Sequence, residues 1–314
     1  MKKVLYLSHA TPEVYSIIRD SVPADFELVT LEQNSDDERR EKVAQCEVVI
    51  VAATPLRKPL IDAAQQLELV HHQGVGWQDT TDHAALRQRG IPLALTPEGT
   101  TVGVAEHTVL MILAALKLLP FADSELRQGR FHVNALRPVS RELSGLTVGY
   151  IGMGRIAQAV AARLAAFGTH GIFFDPNVSA AQGLRSESFE QVLKVADVVT
   201  LHVPLTSQTR HLIGAAQIAQ MKRGAYLINT ARGGLVDEGA LIRALESGHL
   251  AAAALDVFES EPMPAGHALS RLRNIVLTPH IAAGTRDALQ TKMRALFSNV
   301  QGFYRGEPLQ NRVF

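Results

Sequence analysis

Short apolar runs separated by amphipathic stretches dominate the first hundred residues. Runs at 4–7, 26–29, 48–52, 67–71 and 92–95 read as strands. Segments with helical apolar spacing lie between them, for instance at 13–19 and 59–65. Asp79-Thr80-Thr81-Asp82 supplies cap residues for a further helix reaching Arg89, which Gly90 ends. This alternation predicts a doubly wound α/β unit with a parallel sheet, and the stretch lacks a phosphate-binding fingerprint. The pattern breaks at Thr96-Pro97-Glu98-Gly99-Thr100-Thr101, read as a hinge with a counterpart at 283–286. A long apolar helix is predicted over 102–119, and residues 121–144 read as irregular and arginine-rich.

Periodicity resumes at Leu146. Leu146, Val148, Tyr150 and Ile151 form a strand-like run that ends in Gly152-Met153-Gly154-Arg155-Ile156-Ala157, a G-x-G-x-x-A fingerprint. Gly152 permits a tight turn, Gly154 lets a pyrophosphate approach the backbone, and Ala157 lets the helix pack closely on its strand. Ile156, Val160, Leu164 and Phe167 sit at helical spacing, so the pyrophosphate would meet the positive end of that helix. Ile172 to Phe174 form the next strand, and Asp175 closes it about 20 residues on, where a carboxylate accepts both ribose hydroxyls. Asp175 would repel a 2′-phosphate, and Pro176 follows it where an arginine would favour NADP, so NAD is the expected cofactor. The pattern continues with helices at 189–195, 215–221 and 238–247 and strands at 197–202, 225–230, 251–257 and 275–277. A closing amphipathic helix carries Leu289, Met293, Leu296, Val300 and Phe303 on one face, suited to pack back on the first unit.

Composition narrows the class. Of 314 residues, 46% are hydrophobic and 20% charged, as in a globular protein with room for two domains. Lys plus Arg equals Asp plus Glu at 31 each, so no global field attracts nucleic acid or an acidic membrane. The single Cys46 lies in an apolar run and reads as a small buried hydrophobe, and no Cys/His cluster has metal-ligand spacing. The N-terminal apolar run is too short for a signal-peptide core and reads as a first strand. The apolar stretch 102–120 carries Glu106, His107 and Lys117, which makes it a buried helix and a cytoplasmic location the default expectation.

Three polar signatures follow strands of the second unit, where open α/β sheets bind ligands. In Asn229-Thr230-Ala231-Arg232-Gly233-Gly234-Leu235-Val236-Asp237, Arg232 either aims a guanidinium at a substrate carboxylate or pairs Asp237 or Glu238 on a helix surface. In Leu255-Asp256-Val257-Phe258-Glu259-Ser260-Glu261-Pro262, Asp256 ends a strand, Glu261 stands before a proline, and Glu259 reads as simply solvated. In Thr278-Pro279-His280-Ile281-Ala282-Ala283-Gly284, a histidine at a strand end is followed by small residues that would not crowd a cofactor. Reducing a 2-keto acid needs a proton donor, a carboxylate to hold that imidazole protonated, and a cation to bind the acid and polarise its carbonyl. His280, Glu261 and Arg232 supply those parts, and Gly74-Val75-Gly76 at a strand end looks like an anion nest.

With these motifs in order (GMGRIA with Asp175, LHVPLTSQT, NTARGGLVDE, ALDVFESEP and TPHIAAGT) the chain resembles the D-isomer-specific 2-hydroxyacid dehydrogenase family along nearly its whole length. The resemblance implies two doubly wound parallel-sheet domains with a cleft between them. One is a flavodoxin-like substrate domain built from both chain ends (1–99 and 285–314), the other an inserted Rossmann NAD domain (100–284). It also implies a homodimer and a catalytic trio of Arg232, Glu261 and His280. Gly152, Gly154, Arg155 and Ile156 resemble the pyrophosphate site, Asp175 the ribose acid, and Val203, Pro204 and Thr209 the adenine side. Thr230, Ala231, Arg232, Asp256, His280, Ala282 and Ala283 resemble the nicotinamide end, with Asp256 accepting from the carboxamide. Gly74, Val75 and Gly76 resemble the turn that holds the substrate carboxylate, and Glu106-His107 stands where relatives carry a pair that looks structural.

Some features depart from relatives. Forms specific for 3-phosphoglycerate carry an arginine soon after the third strand, where this chain reads Val51-Ala52-Ala53-Thr54-Pro55, with Arg57 and Lys58 a little later. With the sequence ending at Phe314, the appended serine-sensing domain of long phosphoglycerate dehydrogenases is expected to be absent, which excludes serine feedback through it and weighs against phosphorylated substrates, and no tryptophan lies in 130–143. Trp77 follows the nest and either walls the substrate pocket or packs the helix start, the packing reading being favoured. Glu261 stands where formate-oxidising relatives have glutamine. The expected reaction is NAD-linked interconversion of a small 2-keto acid (glyoxylate, hydroxypyruvate or pyruvate-like) and its D-2-hydroxy acid. Phosphite oxidation and a non-enzymatic NAD-sensing corepressor role are the alternatives.

Overall fold

The computed structural model describes residues 1–314 and divides them into two compact units, Met1–Thr100 with Gly284–Phe314, and Thr101–Ala283. The first unit opens with β1 (Lys2–Tyr6), α1 (Pro12–Arg19), β2 (Phe26–Val29), α2 (Asp36–Val43), β3 (Val48–Val51), α3 (Lys58–Ala63), β4 (Leu69–His72), α4 (His83–Gln88) and β5 (Leu93–Leu95). Its sheet runs β2-β1-β3-β4-β5, all parallel, the flavodoxin-like order. Every residue of β3 and β4 is buried, because helices cover both faces and the strands need no polar side. Alternate residues feed the two cores: Leu5, Val49, Val51 and Val70 on one face, Val4, Val48, Ile50 and Leu69 on the other. Asp82 caps α4 by accepting from Ala85 N–H at 3.2 Å.

The second unit contains α5 (Thr100–Lys117), α6 (Leu119–Arg127), β6 (Thr147–Ile151), α7 (Arg155–Ala165), β7 (His170–Phe174), β8 (Arg185–Ser186), α8 (Phe189–Val195), β9 (Val198–Leu201), α9 (Ala215–Gln220), β10 (Ala225–Asn229), α10 (Glu238–Glu246), β11 (Leu250–Leu255) and β12 (Ile275–Leu277). Its parallel sheet runs β12-β11-β10-β9-β6-β7-β8. The strand order reverses between β6 and β9, and the glycine turn leaves β6 at that switch point. By length and composition α5 suits a membrane span, yet Ala105, Met111, Ile112, Ala115 and Leu116 belong to the core beneath this sheet.

Two sequence expectations need correcting. Residues 119–127, read mostly as irregular, form α6: Leu118 turns left-handed (φ 51°), breaking α5, and Pro120 then fits the first turn of a new helix. Phe167, counted on the helical stripe, lies beyond the end of α7 and is 42% exposed. The chain returns to the first unit with α11 (Arg286–Tyr304), whose Met293, Leu296 and Val300 are buried against Val4, Tyr6 and Leu69.

Candidate active site

At the switch point Gly152 has φ +91°, and a Cβ there would stand 2.6 Å from the His202 carbonyl oxygen, so the turn requires glycine. Gly154 begins α7, and nothing lies within 4 Å of where its Cβ would be. Met153 N–H donates to Asp175 Oδ2 at 2.7 Å, which holds the carboxylate that closes β7 beside the glycine turn. Asn177 N–H donates to the other oxygen at 2.8 Å. The first-turn N–H groups of α7, Arg155 and Ile156 among them, have no intrahelical partner and carry the helix's positive end. The residues therefore fit a dinucleotide: open space over Gly154 for pyrophosphate and an acid for the ribose. Beyond β9, Thr209 Oγ1 donates to Pro204 O at 2.7 Å and accepts from Thr206 N–H at 2.8 Å, shaping the loop that carries Val203.

The loops that carry Arg232 and Glu261 are drawn together. Past β10, Asn229 Oδ1 accepts from Ala231 N–H at 3.0 Å and Asn229 Nδ2 donates to Arg232 O at 2.8 Å, so the Arg232 turn is tied to its strand. The half-buried Arg232 donates from Nη1 to Ala231 O at 2.8 Å. At Gly233 a Cβ would fall 1.9 Å from the Phe258 carbonyl carbon, a contact only glycine permits. The same approach is locked by two reciprocal bonds: Glu259 N–H to Glu238 Oε1 at 2.8 Å, and Glu238 N–H to Glu259 Oε1 at 3.2 Å. Glu259 also meets His211 Nε2 at 3.1 Å, so it is a tether and not merely solvated.

Glu261 accepts from His280 Nδ1 at 2.7 Å through Oε2 and from Phe258 N–H at 3.0 Å through Oε1. Burial by itself would raise the Glu261 carboxyl, but the His280 imidazole, the Phe258 N–H and the charge of Arg232 together hold it below its usual value. With Nδ1–H committed to Glu261, Nε2 is the nitrogen His280 can use on a substrate. The His280 side chain is 48% exposed, and its backbone is left-handed at φ 52°.

Asp256, fully buried at the end of β11, holds that backbone in place. It accepts from Thr278 Oγ1 at 2.6 Å, Ile281 N–H and Ala282 N–H at 2.9 Å each, while His280 N–H donates to its carbonyl at 2.7 Å. Burial would raise its carboxyl, and His107, Thr278 and the two amides together keep it below its usual value. Ala282 is buried, Ala283 half-buried and Thr230 buried.

In the first unit, Gly74-Val75-Gly76 follows β4. Thr80 Oγ1 donates to Gly76 O at 3.2 Å and meets His72 Nε2 at 3.0 Å, and Val75 is 41% exposed at the tip. Trp77 packs against the core of that unit and edge-on to His83, in keeping with a packing role. Arg57 donates to Asp79 O at 2.8 Å and Lys58 pairs Asp62 at 2.8 Å, so both cations near the third strand are engaged locally. In the second unit Glu106 lies 3.4 Å from Arg163.

Sequence reasoning did not single out Gly233, Thr278, His107 or Thr108 for the site. Gly233 and Thr278 lie inside the motifs, while His107 reaches Thr278 across 171 residues and carries no local signal of doing so.

Sheet order, glycine turn and closing acid define the second unit as a dinucleotide-binding domain, with the paired Glu261 and His280 at the carboxyl edge of its sheet. Residues 109–282 match the family model described as D-isomer specific 2-hydroxyacid dehydrogenase, NAD binding domain. D-3-phosphoglycerate dehydrogenase of Archaeoglobus fulgidus is 38% identical over 284 residues, covering 89% of this chain and 53% of that protein. Glyoxylate reductase of Korarchaeum cryptofilum is 35% identical over 280 residues, covering 87% and 84%. The structure of NAD-dependent formate dehydrogenase from Staphylococcus aureus with NAD superposes with a TM-score of 0.88 at 28% identity, covering 100% of this chain and 99% of the other. The chain spans about half the length of the phosphoglycerate dehydrogenases it matches. It belongs to the D-isomer-specific 2-hydroxyacid dehydrogenase family, and NAD is the cofactor of its second unit.

Proposed function

We propose that this chain catalyses the reversible NADH-linked reduction of a small 2-keto acid, of the glyoxylate, hydroxypyruvate or pyruvate kind, to the D-2-hydroxy acid. The observation that carries the reading is the 2.7 Å bond between His280 Nδ1 and Glu261 Oε2, with the charge of Arg232 acting on the same carboxylate. When bound, NADH would supply the hydride, and NAD⁺ would take it in the reverse direction. His280 gives a proton from Nε2 to the substrate oxygen, while Glu261 fixes the imidazole's orientation and balances its charge. Arg232 takes the substrate carboxylate and polarises the carbonyl. On the first unit, the backbone N–H groups of Gly74, Val75 and Gly76 would hold a substrate carboxylate. Gly152, Gly154, Arg155 and Ile156 would hold the pyrophosphate, Asp175 the ribose, and Val203, Pro204 and Thr209 the adenine side. Thr230, Ala231, Asp256, Ala282 and Ala283 would line the nicotinamide end.

Glu261 argues against formate oxidation, and the local pairing of Arg57 and Lys58 argues against a substrate phosphate. The relatives named phosphoglycerate dehydrogenase make 3-phosphohydroxypyruvate the second reading. A homodimer in the cytoplasm completes the proposal. Exposed apolar residues along α5, α6 and the following segment (Leu110, Leu119, Leu126, Phe131 and Val139) support self-association.

The test is NADH oxidation at 340 nm against glyoxylate, hydroxypyruvate, pyruvate, 2-ketoglutarate and 3-phosphohydroxypyruvate, together with NAD reduction by phosphite. One preferred unphosphorylated keto acid is expected, with His280→Ala losing turnover by about 10²-fold or more while still binding NADH. A wild-type protein silent on every keto acid would overturn the proposal.

A further inference from the structure

Two adjacent residues of α5 reach the two loops on which the proposed chemistry depends. His107 Nε2 lies 2.9 Å from Thr278 Oγ1 and 3.4 Å from Asp256 Oδ1. Thr108 Oγ1 lies 2.9 Å from Thr230 Oγ1. The proton inventory orients both contacts. The Thr278 hydroxyl spends its one proton on Asp256 at 2.6 Å, so it accepts from His107, which must carry hydrogen on Nε2. Thr108 spends its proton on Val104 O at 2.7 Å, so Thr230 donates to Thr108.

We propose that His107 and Thr108 are positioning residues: a polar clip on α5 that aligns the His280 loop through Thr278 and Asp256, and the Arg232 loop through Thr230. This rests on the functional reading above. The physical need is clear on the His107 side. Asp256 is fully buried, and its charge, which orients the Ile281 and Ala282 amides, persists only with enough donors around it. His107 supports it from a different element, by donating to the Thr278 hydroxyl that donates to Asp256 and by standing 3.4 Å from Oδ1. The clip also explains why a helix otherwise rich in core residues carries two polar groups in succession on its inner side, Thr108 being fully buried. Each residue acts through a neighbour, and neither is assigned contact with substrate.

The test pairs each loss with a conservative replacement: His107→Leu against His107→Gln, which restores a side-chain N–H, and Thr108→Val against Thr108→Ser. In cofactor-free protein, hydrogen exchange at Ile281 and Ala282 is expected to accelerate about tenfold in His107→Leu and to recover in His107→Gln, with the β6–β7 amides unchanged. In the loaded protein, His107→Leu should lower kcat about tenfold, equivalent to ~1.4 kcal/mol, with KM for NADH within about twofold. Thr108→Val should instead raise KM for the keto acid, and Thr108→Ser should restore it. Equal exchange in His107→Leu and wild type, or no recovery in the conservative pair, would overturn the clip. A wild-type protein inactive on keto acids but showing the expected exchange would refute the functional reading and leave the clip standing.

Discussion

Replacing Asp256 with asparagine keeps shape and removes the charge at the point where the His280 loop is anchored. The carboxylate accepts from the Thr278 hydroxyl and from the Ile281 and Ala282 amides within 2.9 Å. An asparagine keeps one acceptor oxygen. Its least costly orientation sets that oxygen toward Thr278 and Ile281 and turns the NH₂ onto the Ala282 N–H. One charge-assisted bond, about 1.5–3 kcal/mol, is lost, and two buried donors are left facing each other at ~1–3 kcal/mol more. Relief of burying a charge offsets part of this, leaving a net cost of roughly 2–4 kcal/mol. At ~2–4 °C per kcal/mol, Tm should fall by roughly 5–15 °C at neutral pH. The penalty should shrink on acidification. The folded-state pKa of Asp256 is depressed, so its carboxylate stabilises above the unfolded value and loses that contribution as pH falls through the folded one. Scanning calorimetry at neutral and acid pH, with kcat measured alongside, tests both halves. A Tm within ~2 °C of wild type and kcat within about twofold would refute the account of Asp256 as the anchor of the His280 loop.

Two other outcomes are expected. Gly233→Ala places a methyl 1.9 Å from the Phe258 carbonyl carbon, so the two loops must part at a cost of about 3 kcal/mol or more, and kcat/KM for the keto acid should collapse. Wild-type kinetics in that variant would show that the close approach is dispensable. Burial takes the His71 imidazole down to about 3, and the neutral ring is bonded to Thr96 Oγ1 at 3.2 Å and Asn299 Nδ2 at 2.9 Å. Only the unfolded chain then takes up this proton below about pH 6.5, so His71 costs nothing above that value. The stability linked to it drains away as pH falls toward 3, by ~2 kcal/mol at pH 5. Urea midpoints at pH 7 and pH 5 should converge in His71→Asn relative to wild type, and an unchanged pH slope would count against a neutral buried His71.

Much of the fold was legible because its signals are local. The apolar runs of β3, β9 and β10 and the cap at Asp82 are set by neighbours a few residues away. The glycine turn from Gly152 is equally local, since positive φ and close approach are demands on single residues. Less legible were α2, whose polar surface leaves only Arg39 and Val43 buried, and α6, hidden behind a proline that starts a helix instead of ending one. Candidate chemistry at strand ends was named from the same local signals, and Glu261 and His280, named together, stand 2.7 Å apart.

Pattern and punctuation along the chain thus settle which elements form, that their sheets are parallel, and which ends of strands carry polar groups, because each follows from burial and backbone geometry within a few residues. Which of those groups meet is decided only once the sheets close. Gly233 passing against Phe258, Glu238 exchanging bonds with Glu259, and His107 reaching Thr278 from 171 residues away are contacts between segments whose local preferences are silent about one another. The burial of Asp256 is of the same kind: only the assembled packing removes water from its carboxylate and makes the loop amides its solvent.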